Sequence, residues 1–201
     1  MTHDKIIEQG VAAALTLAET GRWGELTLAE IAAEADLTLK DFHGVADKDD
    51  LSDAVETVFD DAMSEGCLDA DETPRTRLFD VIMMRFEAME EARDGVMSYL
   101  RWRDRSLGGL AMRVKARAAT AKWALACAGL DSDDGLPIGL QLAGLGWAIA
   151  QAERAWRKET SPDMTRTMAA LDAELIKAED RASWLKGRGR AKPADDTTEA
   201  A

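Results

Sequence analysis

Apolar positions recur along most of this chain at spacings of three and four residues, the period of an amphipathic α-helix. The first run covers residues 4–20, where apolar side chains share one face and Gly21 follows the last turn. No stretch shows the sustained alternation typical of a β-strand, and good helix formers such as Ala, Leu and Glu dominate. The pattern therefore predicts an all-α protein.

Capping residues predict three short helices between residues 25 and 51. Each helix start has an oxygen-bearing side chain followed three residues later by an acid, the spacing of a capping box. The pairs are Thr27 with Glu30, Thr38 with Asp41, and Asp47 with Asp50. The first two helices are separated by a turn of about four residues, which is the geometry of a helix-turn-helix. In DNA-binding proteins the second helix of this motif enters the major groove.

The rest of the chain is predicted to form a larger helical domain. Thr73-Pro74 begins a helix with proline at its first position, and Asp94-Gly95 is expected to end that helix. A later long helix is expected to be interrupted at Gly108-Gly109. The last helix is expected to begin at Ser161-Pro162-Asp163, and residues from Gly187 onward have the composition of a disordered tail.

Two of these helices carry apolar residues at alternating spacings of three and four, the seam of a helical bundle. The seam residues are Leu142, Leu145 and Ile149 on the first helix and Met168, Leu171 and Leu175 on the second. The first helix is also apolar outside its seam, so it needs partners on two sides. We therefore expect a homodimer built on a four-helix bundle across a two-fold axis. A monomer that uses both faces internally is the alternative.

The formal net charge is −13, and the first sixty residues hold fourteen acidic and four basic side chains, a balance of −10. Affinity for duplex DNA comes largely from Lys and Arg that displace counterions from phosphates, so this balance argues against strong DNA binding. A few local bases can still dominate a contact patch. The candidate contacts to phosphates or bases are Thr38, Lys40, His43 and Lys48.

Five stretches of the first sixty residues form a set that can be compared with a known family. They are Ala12-Ala13-Ala14-Leu15, the region around Trp23, Leu28-Ala29-Glu30-Ile31-Ala32, Leu37-Thr38 and Lys48-Asp49-Asp50-Leu51. This set resembles the N-terminal domain of tetracycline-repressor (TetR) family regulators over about residues 5–60, and beyond them the similarity is architectural. That family has an aromatic-basic-aromatic cluster at the end of the recognition helix, where this chain has Phe42-His43-Gly44-Val45.

The resemblance implies a one-component transcriptional regulator in the cytoplasm that binds duplex DNA as a homodimer. It divides the chain into a helix-turn-helix domain (1–46), a linking helix (47–66), a helical ligand-binding and dimerisation domain (67–186) and a disordered tail (187–201). A coenzyme Q biosynthesis family shares this fold and binds isoprenoid lipids without DNA. It is a weaker match, carried only by the loosely similar Ser161-Pro162-Asp163.

Soft and aromatic side chains are concentrated in the larger domain, as in sites for apolar molecules. The candidate ligand-binding residues are Met83, Phe86, Met97, Trp102, Trp123 and Trp147. Arg85, Arg101, Arg103 and Gln141 lie between them and are expected to orient a polar head group. We expect an apolar small molecule or lipid as the effector, as TetR-like regulators bind effectors there; a Met-rich core without a cavity is the alternative.

Catalytic and metal-binding patterns do not occur in the sequence. There are two histidines and two cysteines, without metal-ligand spacing, and no nucleophile elbow or phosphate-binding loop. We therefore expect neither an enzyme nor a resident metal or cofactor. The longest apolar run, residues 136–150, is too short to span a bilayer and contains a proline.

Overall fold

The computed structural model describes residues 2–66, 69–105, 107–131 and 137–190, with the side chains of 107, 110 and 184–190 left out. These residues form nine α-helices and contain no β-strand, in agreement with the predicted all-α fold. The helices are α1 (His3–Thr20), α2 (Leu28–Glu34), α3 (Leu39–Phe42), α4 (Lys48–Asp61), α5 (Pro74–Glu91), α6 (Arg93–Arg103), α7 (Leu107–Cys127), α8 (Ile138–Trp156) and α9 (Thr165–Arg190).

The first four helices form a small module around one apolar centre. Val11 of α1, Ile31 of α2, Phe42 of α3 and Leu51 of α4 are each exposed by no more than 1%. Three short helices cannot hold themselves together by propensity, because isolated helices of this length are marginal in water. Their stability comes from these buried contacts and from the caps at their ends.

Helix α6 joins this module to the larger domain through a close approach to α1. Gly95 is buried in the first turn of α6, and a Cβ built there would lie 2.2 Å from the carbonyl oxygen of Leu15. Glycine is therefore needed for the two backbones to touch. The prediction that Asp94-Gly95 ends a helix was wrong by two residues: α5 ends at Glu91 and α6 begins at Arg93.

Trp23, in the short 3-10 turn that follows α1, strengthens the contact between this module and α6. Its indole Nε1–H donates to Ser52 Oγ of α4 at 3.1 Å, and its ring lies 5.0 Å from that of Tyr99 in an edge-to-face arrangement. Tyr99 in turn donates its hydroxyl proton to the backbone oxygen of Ser52 at 3.1 Å. Because α4 and α6 share these buried partners, the module and the larger domain are packed as one body.

Two predicted helix boundaries in the larger domain are corrected. Gly108-Gly109 does not interrupt α7; both glycines lie in its first turn, where a missing side chain costs little. The last helix begins at Thr165 rather than at Ser161-Pro162-Asp163, because Met164 adopts a left-handed φ of 47°. The described part of α9 reaches Arg190, past the predicted start of the tail at Gly187, and residues 191–201 lie outside the described residues.

Glu159 caps α9 from outside the helix. Its carboxylate accepts the backbone N–H groups of Thr160 at 3.0 Å, Ser161 at 3.1 Å and Thr167 at 3.0 Å. Burial alone would raise the pKa of this carboxyl, but the N–H groups of Ser161, Thr167 and Thr160 lower the pKa to about 2. A charged carboxylate at the positive end of a helix is therefore built into the α8–α9 connection.

Candidate DNA-binding surface

The motif formed by α2 and α3 has the geometry of a helix-turn-helix. Thr27 Oγ1 accepts the N–H of Glu30 at 3.3 Å, and Glu30 Oε2 accepts the N–H of Thr27 at 2.8 Å, so the predicted capping box is present. Residues 35–38 form the turn of four residues. Asp36 occupies it in the left-handed region, with φ of 53°, which acidic and amide residues tolerate better than others.

Helix α3, the second helix of the motif, is a single turn held at both ends. Asp41 Oδ2 accepts the N–H of Thr38 at 2.8 Å and the Thr38 hydroxyl proton at 2.6 Å. These hydrogen bonds from Thr38 are the main reason why the pKa of Asp41 lies below its ordinary value. Phe42 anchors the helix in the core and Gly44, with φ of 77°, ends it. The acid next to Lys40 is therefore a structural cap and not only an opposing charge.

Three of the four predicted DNA contacts lie on the outer surface of α3. Thr38, Lys40 and His43 are exposed, on or beside the single turn of α3 that Phe42 anchors in the core. Lys48 has a different environment: its ammonium donates to the backbone oxygens of Gly24 at 3.1 Å and Leu26 at 2.5 Å. Burial lowers the pKa of Lys48, and two of its three donors are engaged within the protein.

Acids outnumber bases around α3. Asp36, Asp47, Asp49 and Asp50 are all exposed, and the outward-facing basic side chains are Lys40 and His43. A surface cleft of about 470 Å³ lies beside the helix, with an apolar floor and an acidic rim. Its lining consists of Leu28, Leu39, Phe42, His43, Gly44, Val45, Ala46, Asp47 and Asp50. Exposed carboxylates therefore outnumber exposed basic side chains on this face.

A solved structure has the same architecture as this chain. The crystal structure of the TetR transcriptional regulator from Nitrosomonas europaea ATCC 19718 is matched with a TM-score of 0.69 and 20% sequence identity, over 87% of this chain and 98% of that one. The chain has the TetR-like fold. The predicted fold is confirmed. No protein-family model and no curated protein sequence matches the chain.

A buried ionic cluster joins α4 to the helices of the larger domain. It was not predicted from the sequence. Arg85 of α5 and Arg103 of α6 are each 1% exposed and both bind the carboxylate of Glu56. Arg85 Nε also donates to Asp60 Oδ1 at 2.7 Å, and the Thr120 hydroxyl donates to the other Asp60 oxygen at 2.8 Å. Burial raises the pKa of Asp60 above its ordinary value, although Arg85 opposes this.

Glu153 of α8 forms the other half of the cluster. Its carboxylate accepts from Arg117 of α7 and from Arg157, which donates Nη2–H at 2.6 Å and Nε–H at 3.1 Å. Burial would raise the pKa of Glu153, but Arg117, Arg103 and Arg157 hold it far below its ordinary value. Asp104 accepts from Arg157 at 2.6 Å and from Arg113 at 3.2 Å. Five helices, α4 to α8, therefore meet around paired charges.

The sequence did carry a signal for this cluster. Arg85 lies among the buried apolar residues Ile82 and Met89 of its helix, and Glu153 lies between Ile149 and Trp156. A charge on the apolar face of a helix is buried when the helix packs, and it then requires an opposite charge. Arg85 and Arg103 bind carboxylates, Arg101 is exposed and Gln141 is half-buried.

The six candidate ligand-binding residues occupy three different environments. Met83 and Phe86 are in the core, Met97 and Trp102 are half-buried, and Trp123 and Trp147 are 42% and 54% exposed. A second surface cleft, of about 350 Å³, lies between α5 and α9 and includes none of them. It is lined by Arg75, Thr76, Phe79, Met168, Ala169 and Asp172. The described clefts thus do not bring the predicted ligand residues together, and their role stays a prediction.

The predicted dimer residues divide in a similar way. Leu145, Ile149, Leu171 and Leu175 are at most 5% exposed within the single chain, where α8 and α9 pack against each other. Leu142 is half-buried, and Met168 is 39% exposed. A seam of alternating spacing does not distinguish packing within a chain from packing between chains.

Other apolar side chains of this region are exposed in the single chain. Within the described residues, seven of the eight exposed large apolar side chains lie on α7, α8 and α9. They are Val114, Trp123, Ile138, Leu140, Trp147, Met168 and Ile176. Of the residues predicted for the interface, Met168 is the one that belongs to this surface.

The described ranges contain neither a metal-binding cluster nor a membrane-spanning helix. No group of three or more His, Cys, Asp or Glu side chains there is arranged to hold a metal ion. No helix there is long and apolar enough to cross a membrane.

Proposed function

We propose that this protein is a transcriptional regulator of the TetR type, which binds duplex DNA through α3. The observation that carries the proposal is the capped helix-turn-helix on a TetR-like fold, with Thr38, Lys40 and His43 facing outward from its second helix. Helices of this motif bind in the major groove, and a dimer reads two half-sites about one helical turn apart.

DNA binding by this surface is expected to be weak and to depend on few cations. Lys40 is the exposed lysine of α3, and His43 is the other outward-facing basic side chain at its end. Lys48 is tied to Gly24 and Leu26, so it has one donor left for a phosphate. Fewer phosphate contacts lower affinity in a sequence-independent way, so specificity would come from the base edges that α3 reaches.

The proposed homodimer uses the open apolar surface of α8 and α9. Trp147 and Leu140 of α8 are more than half exposed, and Met168 and Ile176 of α9 are about 40% exposed. Apolar patches of this kind mark association sites on soluble proteins, and aromatic residues are enriched in the cores of interfaces. A Cβ at Gly144 would meet no neighbouring atom, which leaves room for a partner backbone on this side of α8.

The proposed effector is an apolar small molecule bound in the larger domain. Met97 and Trp102 are the half-buried members of the predicted set, and they lie on α6, which packs on α1 and on the Trp23 turn. A ligand present at one hundred times its dissociation constant stabilises its protein by about 2.7 kcal/mol. Thermal unfolding with an apolar compound library tests this part of the proposal. If no compound raises the melting temperature and native mass spectra show no bound mass, the effector should be abandoned.

Capture of genomic DNA by the tagged protein tests the proposed function as a whole. We expect a small set of enriched fragments that share a palindromic sequence, and we expect the same fragments to be lost with Lys40→Glu. Lys122→Glu is the matched control, because it reverses an exposed lysine on α7, away from α3. If the native protein enriches no sequence and binds no DNA even at low salt, the regulator proposal is wrong.

A further inference from the structure

Arg103 is the only side chain of the described cluster that touches carboxylates from both α4 and α8. It lies at the end of α6 and is 1% exposed. Its Nη1 group binds Glu56 of α4 closely. Its other contacts are longer: Nη2 lies 3.5 Å from Glu153 Oε1 of α8, and Nε lies 3.4 Å from Asp104 Oδ1. Charged hydrogen bonds are normally about 2.7–2.9 Å long, so Arg103 favours α4 and keeps looser contact with the α8 side.

The carboxylates at both ends of Arg103 have other arginine partners. Glu56 also binds Arg85, and Glu153 also binds Arg117 and Arg157. Each end is therefore a carboxylate held by several guanidinium groups, with Arg103 shared between the two ends. A shift of either helix changes how many arginines its carboxylate keeps.

Because Arg103, Glu56 and Glu153 are buried, movement of one helix affects the other through this shared contact. A buried charge that loses its partner is strongly destabilising, because water does not replace the lost interaction. If α8 moves relative to α6, the contact between Glu153 and Arg103 must become either longer or shorter. A shorter contact with Glu153 draws Arg103 away from Glu56 and weakens that pair. Packed interiors respond to such demands by changing between discrete arrangements rather than by gradual deformation.

We propose that Arg103 couples the position of α4, and with it the helix-turn-helix module, to the position of α8 by exchanging between Glu56 and Glu153. The inference goes beyond the proposed function, since it concerns communication between two helices whether or not the module binds DNA. In a dimer joined through α8, it makes the orientation of the module depend on how the two subunits meet.

Hydrogen exchange on the full chain without DNA tests the coupling. Glu153→Gln removes a charge on α8 that binds arginines but is not bonded to α4. Without this competing carboxylate Arg103 stays with Glu56, so we expect amides of α4 to gain protection several-fold relative to amides of α9. Glu159→Gln is the matched control: it is the same substitution at a carboxylate 8% exposed, bonded to backbone N–H groups instead of arginines. The proposal is overturned if both variants change α4 protection equally, relative to their global stabilities.

Arg103→Lys gives a second measurement that does not depend on the fate of Glu153. Lysine keeps the charge but lacks the planar fork that reaches two carboxylates at once. We expect a folded protein in which α4 is less protected while α8 keeps its protection. Native-like protection of α4 in this variant would contradict the exchange of Arg103 between the two carboxylates.

A double-mutant cycle completes the test. Glu56 and Glu153 act on each other through Arg103 in the proposal, so Glu56→Gln and Glu153→Gln should be non-additive by at least about threefold in the unfolding equilibrium constant. Additive effects would overturn the coupling. Because none of these experiments contains DNA, a failure of DNA binding leaves their outcome unchanged.

Discussion

Both ends of α4 carry several acidic side chains, but their environments differ: those at its start are exposed, and two of those in its second half are buried. At its start, Asp47 and Asp50 face solvent and accept backbone N–H groups, with Asp47 Oδ1 2.8 Å from the nitrogen of Asp49. In its second half, Glu56 and Asp60 are buried and bind Arg85 and Arg103. The first group stabilises a helix end in water, and the second depends on partners from other helices.

This difference changes the meaning of the −10 charge balance of the first sixty residues. Glu56 and Asp60 contribute to that sum, but their charges are neutralised inside the protein and do not repel a DNA backbone. In the proposed complex the exposed acids beside α3 would repel it, and Lys40 would act against them. Net charge counted along a chain therefore overstates the acidity of the surface proposed to bind DNA.

Removing a guanidinium from the buried half should have the largest effect. Arg85→Met leaves Glu56 with one arginine fewer and Asp60 with only Thr120, so we expect a loss of about 3–5 kcal/mol in the free energy of unfolding. Arg101→Met, an exposed arginine on α6, should change it by less than about 0.5 kcal/mol. Urea denaturation at fixed protein concentration compares the two. Equal, small effects would show that the buried pairs are not needed for stability.

The two faces of α8 offer a similar contrast between a buried and an exposed set. Leu145→Ala removes side-chain volume from the core of one subunit, so we expect it to lower the free energy of unfolding by about 2–5 kcal/mol. Trp147→Ser removes an exposed side chain and should leave the fold of the subunit intact while it weakens the dimer. Circular dichroism and light scattering separate the two outcomes. A native protein with the mass of a monomer at all concentrations would contradict the proposed interface.

Acid should weaken the carboxylate that caps α9. The pKa of Glu159 is about 2 in the folded protein and near 4.5 when unperturbed. A lowered pKa stabilises the folded state above the unperturbed value, and this stabilisation disappears as the pH falls from about 4.5 towards 2. Glu159→Gln should therefore cost about 1 kcal/mol at neutral pH and progressively less below pH 4.5. Chemical denaturation from pH 7 to pH 3 measures this, and a constant difference would refute it.

Local signals predicted the helix-turn-helix well because its caps are local. Thr27, Thr38 and Asp47 each find their acceptor or donor within three residues, so spacing alone places them. The cluster around Arg103 was missed for the opposite reason. Glu56 and Arg103 are 47 residues apart in sequence, and their pairing depends on how five helices pack.

The apolar seams and the Met and Trp residues were predicted less completely than the caps but better than the ionic cluster. The periodicity of Leu145 and Leu171 indicated an apolar seam on each helix, but it did not indicate which helix each seam contacts. Both residues are buried within the single chain, where α8 packs on α9 and on α7. Likewise, the abundance of Met and Trp did not distinguish core residues such as Phe86 from exposed ones such as Trp147.

The salt dependence of DNA binding tests the central claim most directly. A fluorescence titration of captured DNA measures the slope of log affinity against log salt, near −0.9 for each phosphate neutralised. If Lys40 of each subunit binds one phosphate and Lys48 stays with Gly24 and Leu26, the slope should be about −1.8. A slope near −3.6 would mean that Lys48 also binds a phosphate.

Lys40→Glu completes this measurement, with Lys122→Glu as its control. We predict that Lys40→Glu removes most of the salt-dependent affinity, because it reverses the charge of the exposed lysine on α3, and that Lys122→Glu binds like the native protein. Native affinity and slope in Lys40→Glu would contradict the assignment of α3 as the recognition helix.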